Sequence, residues 1–275
     1  MVHLDGKTAL ITGSTDGVGR LVASRLGQAG ARVLIHGRDP QRGERVVAAI
    51  EAAGGTAEFM AADLASLHEV RRLADTIRKA EARLDILVNN AGIGTAGGSR
   101  LTSNDGHELR FAVNYLAGFL LTYLLLPLIR QSTPARIVNV SSAGQQAIDF
   151  DDVMLTRGFS GSRAYCQSKL AQIMFTIDLA RELAASGVIV NALHPATYMD
   201  TAMVRRAGVT PMSTVEQGAE AIMQLAVSPA VEGRSGRYFN GLNETRANAQ
   251  AYDDAARQKL RALSLRLTGL TNGTS

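Results

Sequence analysis

The chain has 275 residues, 46% of them hydrophobic and 20% charged, a balance that fills a core and excludes a wholly disordered polymer. The formal net charge of +4 is small and spread out, with Arg71-Arg72 and Arg205-Arg206 the densest basic pairs, so no nucleic-acid partner is expected. Its single cysteine, Cys166, excludes an internal disulfide framework and a multi-cysteine zinc site; His36, His68, His107 and His194 lack metal-ligand spacing, so no metal is expected.

Residues 1–7 carry His3, Asp5 and Lys7 and lead straight into an apolar run, which predicts no signal peptide. The run at 7–12 reads as a buried parallel strand, and the period then switches to 3.6 over 18–28, where Val18, Leu21, Val22 and Leu26 share a helical face. Strands at 32–36, 56–60 and 84–88 alternate with helices at 41–53 and 67–81. Beyond them come a long helix at 104–129, a strand at 136–140, a helix at 162–185, a strand at 188–193, a helix at 214–227 and a short strand at 237–240. A helical tail follows at 247–267. The longest apolar stretch, around 115–129, contains Gly118 and Pro127, so no membrane span and no membrane partner are expected. The chain accordingly reads as cytoplasmic.

Strand and helix in regular alternation predict an α/β protein, a single-domain Rossmann fold over 1–275 with a doubly wound, seven-stranded parallel sheet and helices on both faces. Nothing in the composition marks a linker. Two irregular stretches, 143–161 and 196–213, follow strand ends, where open α/β sheets bind ligands.

Between the first strand and first helix lies Thr12-Gly13-Ser14-Thr15-Asp16-Gly17-Val18-Gly19. Glycines there permit a tight turn and bring backbone N–H groups up to a pyrophosphate at the helix N-terminus. Farther along, Tyr165 and Lys169 are four residues apart and share a helix face. A phenol with an ordinary pKa near 10 is a poor base at neutral pH, and a nearby ammonium would favour its ionised form.

The TGxxxGxG spacing resembles the short-chain dehydrogenase/reductase family, and further motifs follow in that family's order: Asp63-Leu64, Asn89-Asn90-Ala91-Gly92, Asn114, Asn139-Val140-Ser141-Ser142, Tyr165-Cys166-Gln167-Ser168-Lys169 and Asn191…His194-Pro195. The stretch Arg163–Ala171, the wide spacing of 23 residues between Ser142 and Tyr165, and the tail Leu260…Ser264…Leu267-Thr268-Gly269-Leu270 resemble its retinol-dehydrogenase-like branch. The resemblance implies a catalytic set of Ser142, Tyr165, Lys169 and Asn114. Ser142 is favoured over Ser141 for holding the substrate oxygen, and Asn114 would hold a water linked to Lys169. Cofactor contacts are implied at Gly13, Ser14, Thr15, Asp16, Gly17, Val18, Gly19, Arg38, Asp63, Leu64, Asn90, Ala91, Gly92, Tyr165, Lys169, Pro195 and Thr197. Residues 1–95 would be mainly the cofactor-binding half, 96–240 the catalytic and substrate half, and 241–275 a helical tail.

An NAD site wants a carboxylate about 20 residues past the glycine loop, at the end of the second strand. Here that place holds Gly37, followed by Arg38, whose guanidinium suits a 2′-phosphate; NADP(H) is expected over NAD(H). Asp16 and Asp39 are the residues that argue the other way. The substrate reads as a small-molecule carbonyl or alcohol, apolar because 196–213 offers Tyr198, Met199 and Met203, with Ser142 and Tyr165 at the reacting oxygen. The expected activity is that of an oxidoreductase transferring a hydride, with Tyr165 as general acid/base. The alternative is a dinucleotide-sensing regulatory protein without turnover. The resemblance also implies a homodimer or homotetramer built partly from the helices at 104–129 and 162–185.

Overall fold

The computed structural model describes residues 3–95 and 99–271. The expected boundary between the two halves, at 96, lies outside the described residues. Seven parallel strands are β1 (Thr8–Ile11), β2 (Arg32–Gly37), β3 (Thr56–Ala61), β4 (Ile86–Asn89), β5 (Ala135–Val140), β6 (Val188–His194) and β7 (Tyr238–Asn240). With β8 (Asn243–Thr245) they form one sheet in the order β3-β2-β1-β4-β5-β6-β7-β8. β1 and β4 are buried at every position because helices cover both faces.

The eighth strand departs from the expected seven. It runs antiparallel to β7 through a two-residue turn in which Gly241 takes φ 57°. Its Asn-Glu-Thr sequence is fully exposed and carries no apolar alternation, so no pattern announced it. Glu244 is held there by Arg234 and Arg237.

The helices are α1 (Gly17–Gln28), α2 (Pro40–Ala52), α3 (Leu67–Ala80), α4 (Ala117–Gln131), α5 (Gly161–Glu182), α6 (Ala202–Arg206), α7 (Val215–Val227) and α8 (Asp254–Thr268). Most start on a side-chain cap. Asp16, Asp39, Ser66, Ser160, Thr201, Thr214 and Asp253 each accept a backbone N–H of their own first turn, worth about 1 kcal/mol apiece. One buried layer joins α1, α2 and α7 to the sheet, and the other joins α3, α4, α5 and α8 to its opposite face.

The long helix expected from 104 starts later. Asn104-Asp105-Gly106 makes a turn, with Gly106 at φ 81° and the Ser103 hydroxyl accepting the N–H groups of Asp105 and His107. Helical structure begins at Leu109 and passes through a π-helical stretch, Phe111–Leu116, before α4. The whole apolar run Phe111–Gln131 is long enough to cross a membrane, yet 78% of its central stretch is buried inside the protein as a core helix.

The C-terminal helix packs against the helical face that carries α4 and α5. α8 lies over an aromatic cluster of Phe111, Tyr115, Phe119, Tyr123 and Phe175, whose neighbouring ring centroids are 4.8–6.4 Å apart. Tyr115 and Ser264 hydroxyls share a hydrogen bond of 2.7 Å, and Arg257, 1% exposed, donates to Asp178 at 2.6 Å and to the Ala251 carbonyl at 2.8 Å. Arg261 donates to Glu182 at 2.8 Å. α8 thus covers the part of α4 and α5 that carries this cluster.

Candidate active site

Strand order reverses between β1 and β4, and there the C-terminal ends of the strands open a crevice. The glycine loop lines it. A Cβ at Gly13 would stand 2.9 Å from the Ala91 Cα, and one at Gly19 would stand 2.5 Å from both the Gly13 carbonyl oxygen and the Asn90 amide. Only bare backbone fits.

The loop is braced from behind. The Asn90 amide donates to the carbonyls of Thr12 (2.8 Å) and Gly13 (3.2 Å), while the N–H groups of Asn90 and Ala91 donate to the Thr12 hydroxyl. Ser14 donates to the Ile11 carbonyl and accepts from the His36 N–H. Asn90 and Ser14, both expected at the cofactor, therefore spend their side chains on the loop itself. The loop's open side offers the first turn of α1, where the N–H groups of Val18 and Gly19 lack an intrahelical acceptor by helix geometry. A cradle that no Cβ could share, ending on a helix N-terminus, fits a pyrophosphate.

At the outer end of the crevice, a Cβ on Gly37 would lie 2.5 Å from the Thr15 side chain, so a larger residue there would require Thr15 to move. Arg38 is exposed beside it. Asp39 accepts the Arg42 N–H as the cap of α2, and Asp16 accepts the Gly17 N–H at 2.8 Å and the Arg42 guanidinium at 2.7 Å. Partial burial pushes Asp16 up, but the Gly17 N–H and Arg42 outweigh it and hold this carboxyl below the usual range. Asp63 accepts the Ala65 N–H, and Leu64 is buried.

Ser142 follows β5 and Tyr165 sits in the second turn of α5. The space a Gly144 Cβ would take is 3.5 Å from the Ser142 hydroxyl and 3.8 Å from the Tyr165 ring, so both groups face one point. Ser141 is turned away, its hydroxyl donating to the Lys169 carbonyl at 2.7 Å. Burial pushes the Tyr165 phenol above its ordinary value, opposed by a hydrogen bond with Ser142. The Lys169 ammonium lies 5.8 Å from the Tyr165 ring centroid and donates to the Val140 carbonyl (2.8 Å) and the Gln172 amide oxygen (2.9 Å). Full burial pulls it down to about 7. The expected depression of the tyrosine is thus not produced by Lys169 in this arrangement, because the ammonium is aimed at the strand and not at the phenol oxygen.

Asn114 falls within the π-helical stretch, a local widening that often marks functional positions. Its side chain clips the turn after β4, accepting the Ile93 N–H at 2.7 Å and donating to the Ile93 carbonyl and to Ser168. Asn114 and Lys169 approach the same spot, since a Gly92 Cβ would stand 3.2 Å from the first and 3.5 Å from the second.

Over the crevice runs the segment after β6. Pro195 is buried, and His194 shares a hydrogen bond of 3.1 Å with the Thr197 hydroxyl. Tyr198, half exposed at φ 45°, acts electrostatically on Tyr165, and Met203 packs where a Gly94 Cβ would go. Met199 corrects the expectation of a substrate contact. It points down between α1 and α7, its sulfur filling the space beside Gly218.

Four supporting residues were missed. His36 holds the glycine loop, Gln172 holds Lys169, and Tyr238 and Gln145 donate to the Ser142 carbonyl at 2.9 Å each. Gln172, three residues past Lys169 on one helix, was the one with a local signal.

Comparison with known proteins agrees with this geometry. The family model for short chain dehydrogenase matches residues 7–210. Human retinol dehydrogenase 13 is 39% identical over 289 residues, spanning 97% of this chain and 86% of the relative. Human retinol dehydrogenase 14 is 38% identical, spanning 97% and 88%. Among solved structures, an uncharacterized protein from Mycobacterium Paratuberculosis superposes with a TM-score of 0.79 at 30% identity, over 98% of this chain and 96% of that one. The Pseudomonas aeruginosa RhlG/NADP complex gives 0.70 at 32% identity, over 86% and 95%.

Proposed function

The chain belongs to the short-chain dehydrogenase family, in its retinol-dehydrogenase-like branch, and from that premise we propose an NADP(H)-dependent enzyme that interconverts an apolar alcohol and its carbonyl compound. The observation that carries the reading is the meeting of Ser142 and Tyr165 at one point, with Lys169 beneath them and the glycine loop alongside. When bound, the nicotinamide supplies or accepts the hydride. The work left to the chain is binding, orientation and proton traffic.

In the reducing direction the Tyr165 hydroxyl gives its proton to the substrate oxygen, and in the oxidising direction it takes that proton back. The Ser142 hydroxyl donates to the same oxygen as negative charge grows on it. Tyr238 and Gln145 fix Ser142 by its carbonyl, and Asn114 fixes the turn at Ile93 that borders the site. Lys169, charged, would favour the ionised phenol once it turns from Val140 and Gln172 toward the crevice.

Arg38 supports NADP(H): it stands exposed beside Gly37, where an NAD-type carboxylate would require Thr15 to move, and Asp39 is engaged as a helix cap. The relatives' names make retinol and retinal the first pair to offer, and the apolar side chains of Tyr198 and Met203 suit such a substrate. The test is a fluorescence titration with NADPH and NADH, followed by NADPH oxidation at 340 nm with retinal and a panel of apolar ketones. Wild type should turn over. Tyr165→Phe should bind cofactor and lose ~10²–10⁴ of the rate. Cofactor binding without turnover on the whole panel would favour a dinucleotide sensor instead.

A further inference from the structure

On the NADP(H) reading, a 2′-phosphate held by Arg38 would lie beside the N-termini of α1 and α2, and two carboxylates stand there. Asp39 is engaged by the Arg42 N–H at 3.2 Å, and Asp16 by the Arg42 guanidinium at 2.7 Å. One residue therefore occupies both acids, the first through its backbone and the second through its side chain. Asp16 is also about half exposed, so its charge is not hidden in the core.

We propose that Arg42 is a specificity-determining residue for the cofactor. By covering the Asp16 carboxylate, it removes the repulsion that would otherwise reject a 2′-phosphate beside Arg38. The inference rests on the NADP(H) reading and adds to it a division of labour. Arg38 attracts the phosphate, and Arg42 silences the acid opposite. Without Arg42, the anionic Asp16 would confront a dianionic phosphate at the mouth of the glycine loop, and the phosphorylated ribose would lose affinity relative to the unphosphorylated one.

Both partners lie on the surface, where an ion pair contributes little to folding, so variants should remain folded. Asparagine caps a helix about as well as aspartate, so Asp16→Asn removes the charge and keeps the start of α1.

The experiment is a set of binding titrations, with NADPH, NADH, adenosine 2′,5′-bisphosphate and 5′-AMP, of wild type, Arg42→Ala, Asp16→Asn, the double variant and Arg38→Ala. Thermal melts serve as the check on folding. Arg42→Ala should lower the NADPH-to-NADH affinity ratio by about tenfold, and the bisphosphate should follow NADPH while 5′-AMP follows NADH. Asp16→Asn placed on Arg42→Ala should restore most of that ratio. High salt should shrink the whole effect. An unchanged ratio in Arg42→Ala overturns the inference, and so does a double variant as weak as Arg42→Ala alone, which would mean that Arg42 touches the phosphate directly. An unchanged ratio in Arg38→Ala, or a wild type that prefers NADH, counts against the NADP(H) reading itself.

Discussion

The imidazole Nδ1 of His36 accepts the backbone N–H of Gly13 at 3.1 Å, from a position only 2% exposed. This bond needs a neutral ring. Burial supplies that condition, pulling the group down to about 4 against the pull of the Ala62 carbonyl and Asp63. The glycine loop is thus held by a side chain that must not be protonated.

Between pH 6.5 and about 4 the unfolded chain binds a proton at His36 that the folded chain refuses, so stability falls as pH falls through that window. The loss should approach about 3 kcal/mol at pH 4. His36→Asn offers an acceptor oxygen in place of Nδ1 and does not titrate. Urea unfolding midpoints for this variant should be flatter across the same range, while NADPH binding at pH 7 survives.

Lys169→Met should separate function from stability. The buried ammonium binds its proton less readily in the folded chain than in the unfolded one, so stability from this group rises as pH climbs from about 7 to 10.5. Methionine removes the desolvation penalty. The variant should melt higher than wild type at pH 7, yet lose at least ~10²-fold in turnover. A lower melting temperature would show that the bonds to Val140 and Gln172 outweigh the burial.

Tyr238→Phe removes a single hydroxyl that donates to the Ser142 carbonyl. Gln145 still donates to that oxygen, so the cost in stability should be about 1 kcal/mol. The positioning role predicts more: kcat should drop by about tenfold with KM for the carbonyl substrate nearly constant, because Ser142 acts as charge develops. Equal losses in NADPH binding and turnover would speak for a general loosening instead.

What was legible in the sequence was local. Tyr165 and Lys169 could be paired because a helix turn brings residues four apart together, and the glycine loop could be placed because a strand and a helix flank it directly. Long-range relations were not legible. Tyr238 reaches Ser142 across 96 residues, and His36 meets Gly13 only because β2 and β1 pair in register. Met199 was expected at the substrate only because it lies in the irregular stretch 196–213, and nothing in such a stretch tells which way a side chain turns. The eighth strand had no hydrophobic pattern to show, being held by charge and by a turn.

Arg257→Ala should be among the most damaging surface-distant changes. It leaves the Asp178 carboxylate and the Ala251 carbonyl without the guanidinium that now serves both inside the fold. Because Asp178 keeps 23% of its side chain exposed, water offsets part of the loss, and the cost should be about 2–3 kcal/mol, to be read from urea unfolding. Met212→Ala, at a side chain 72% exposed, is the matched control and should stay within about 0.5 kcal/mol of wild type.

The position of α8 also sets an order of events during synthesis. Every strand of the sheet, and both helices that carry the aromatic cluster, leave the ribosome before α8 does. Domains fold as they emerge, so the nascent sheet forms with the α8-facing side of this aromatic cluster uncovered until that helix arrives. In that interval the newborn chain displays its stickiest surface, and stalling translation ahead of residue 254 should yield a species that chaperones bind and the finished protein does not.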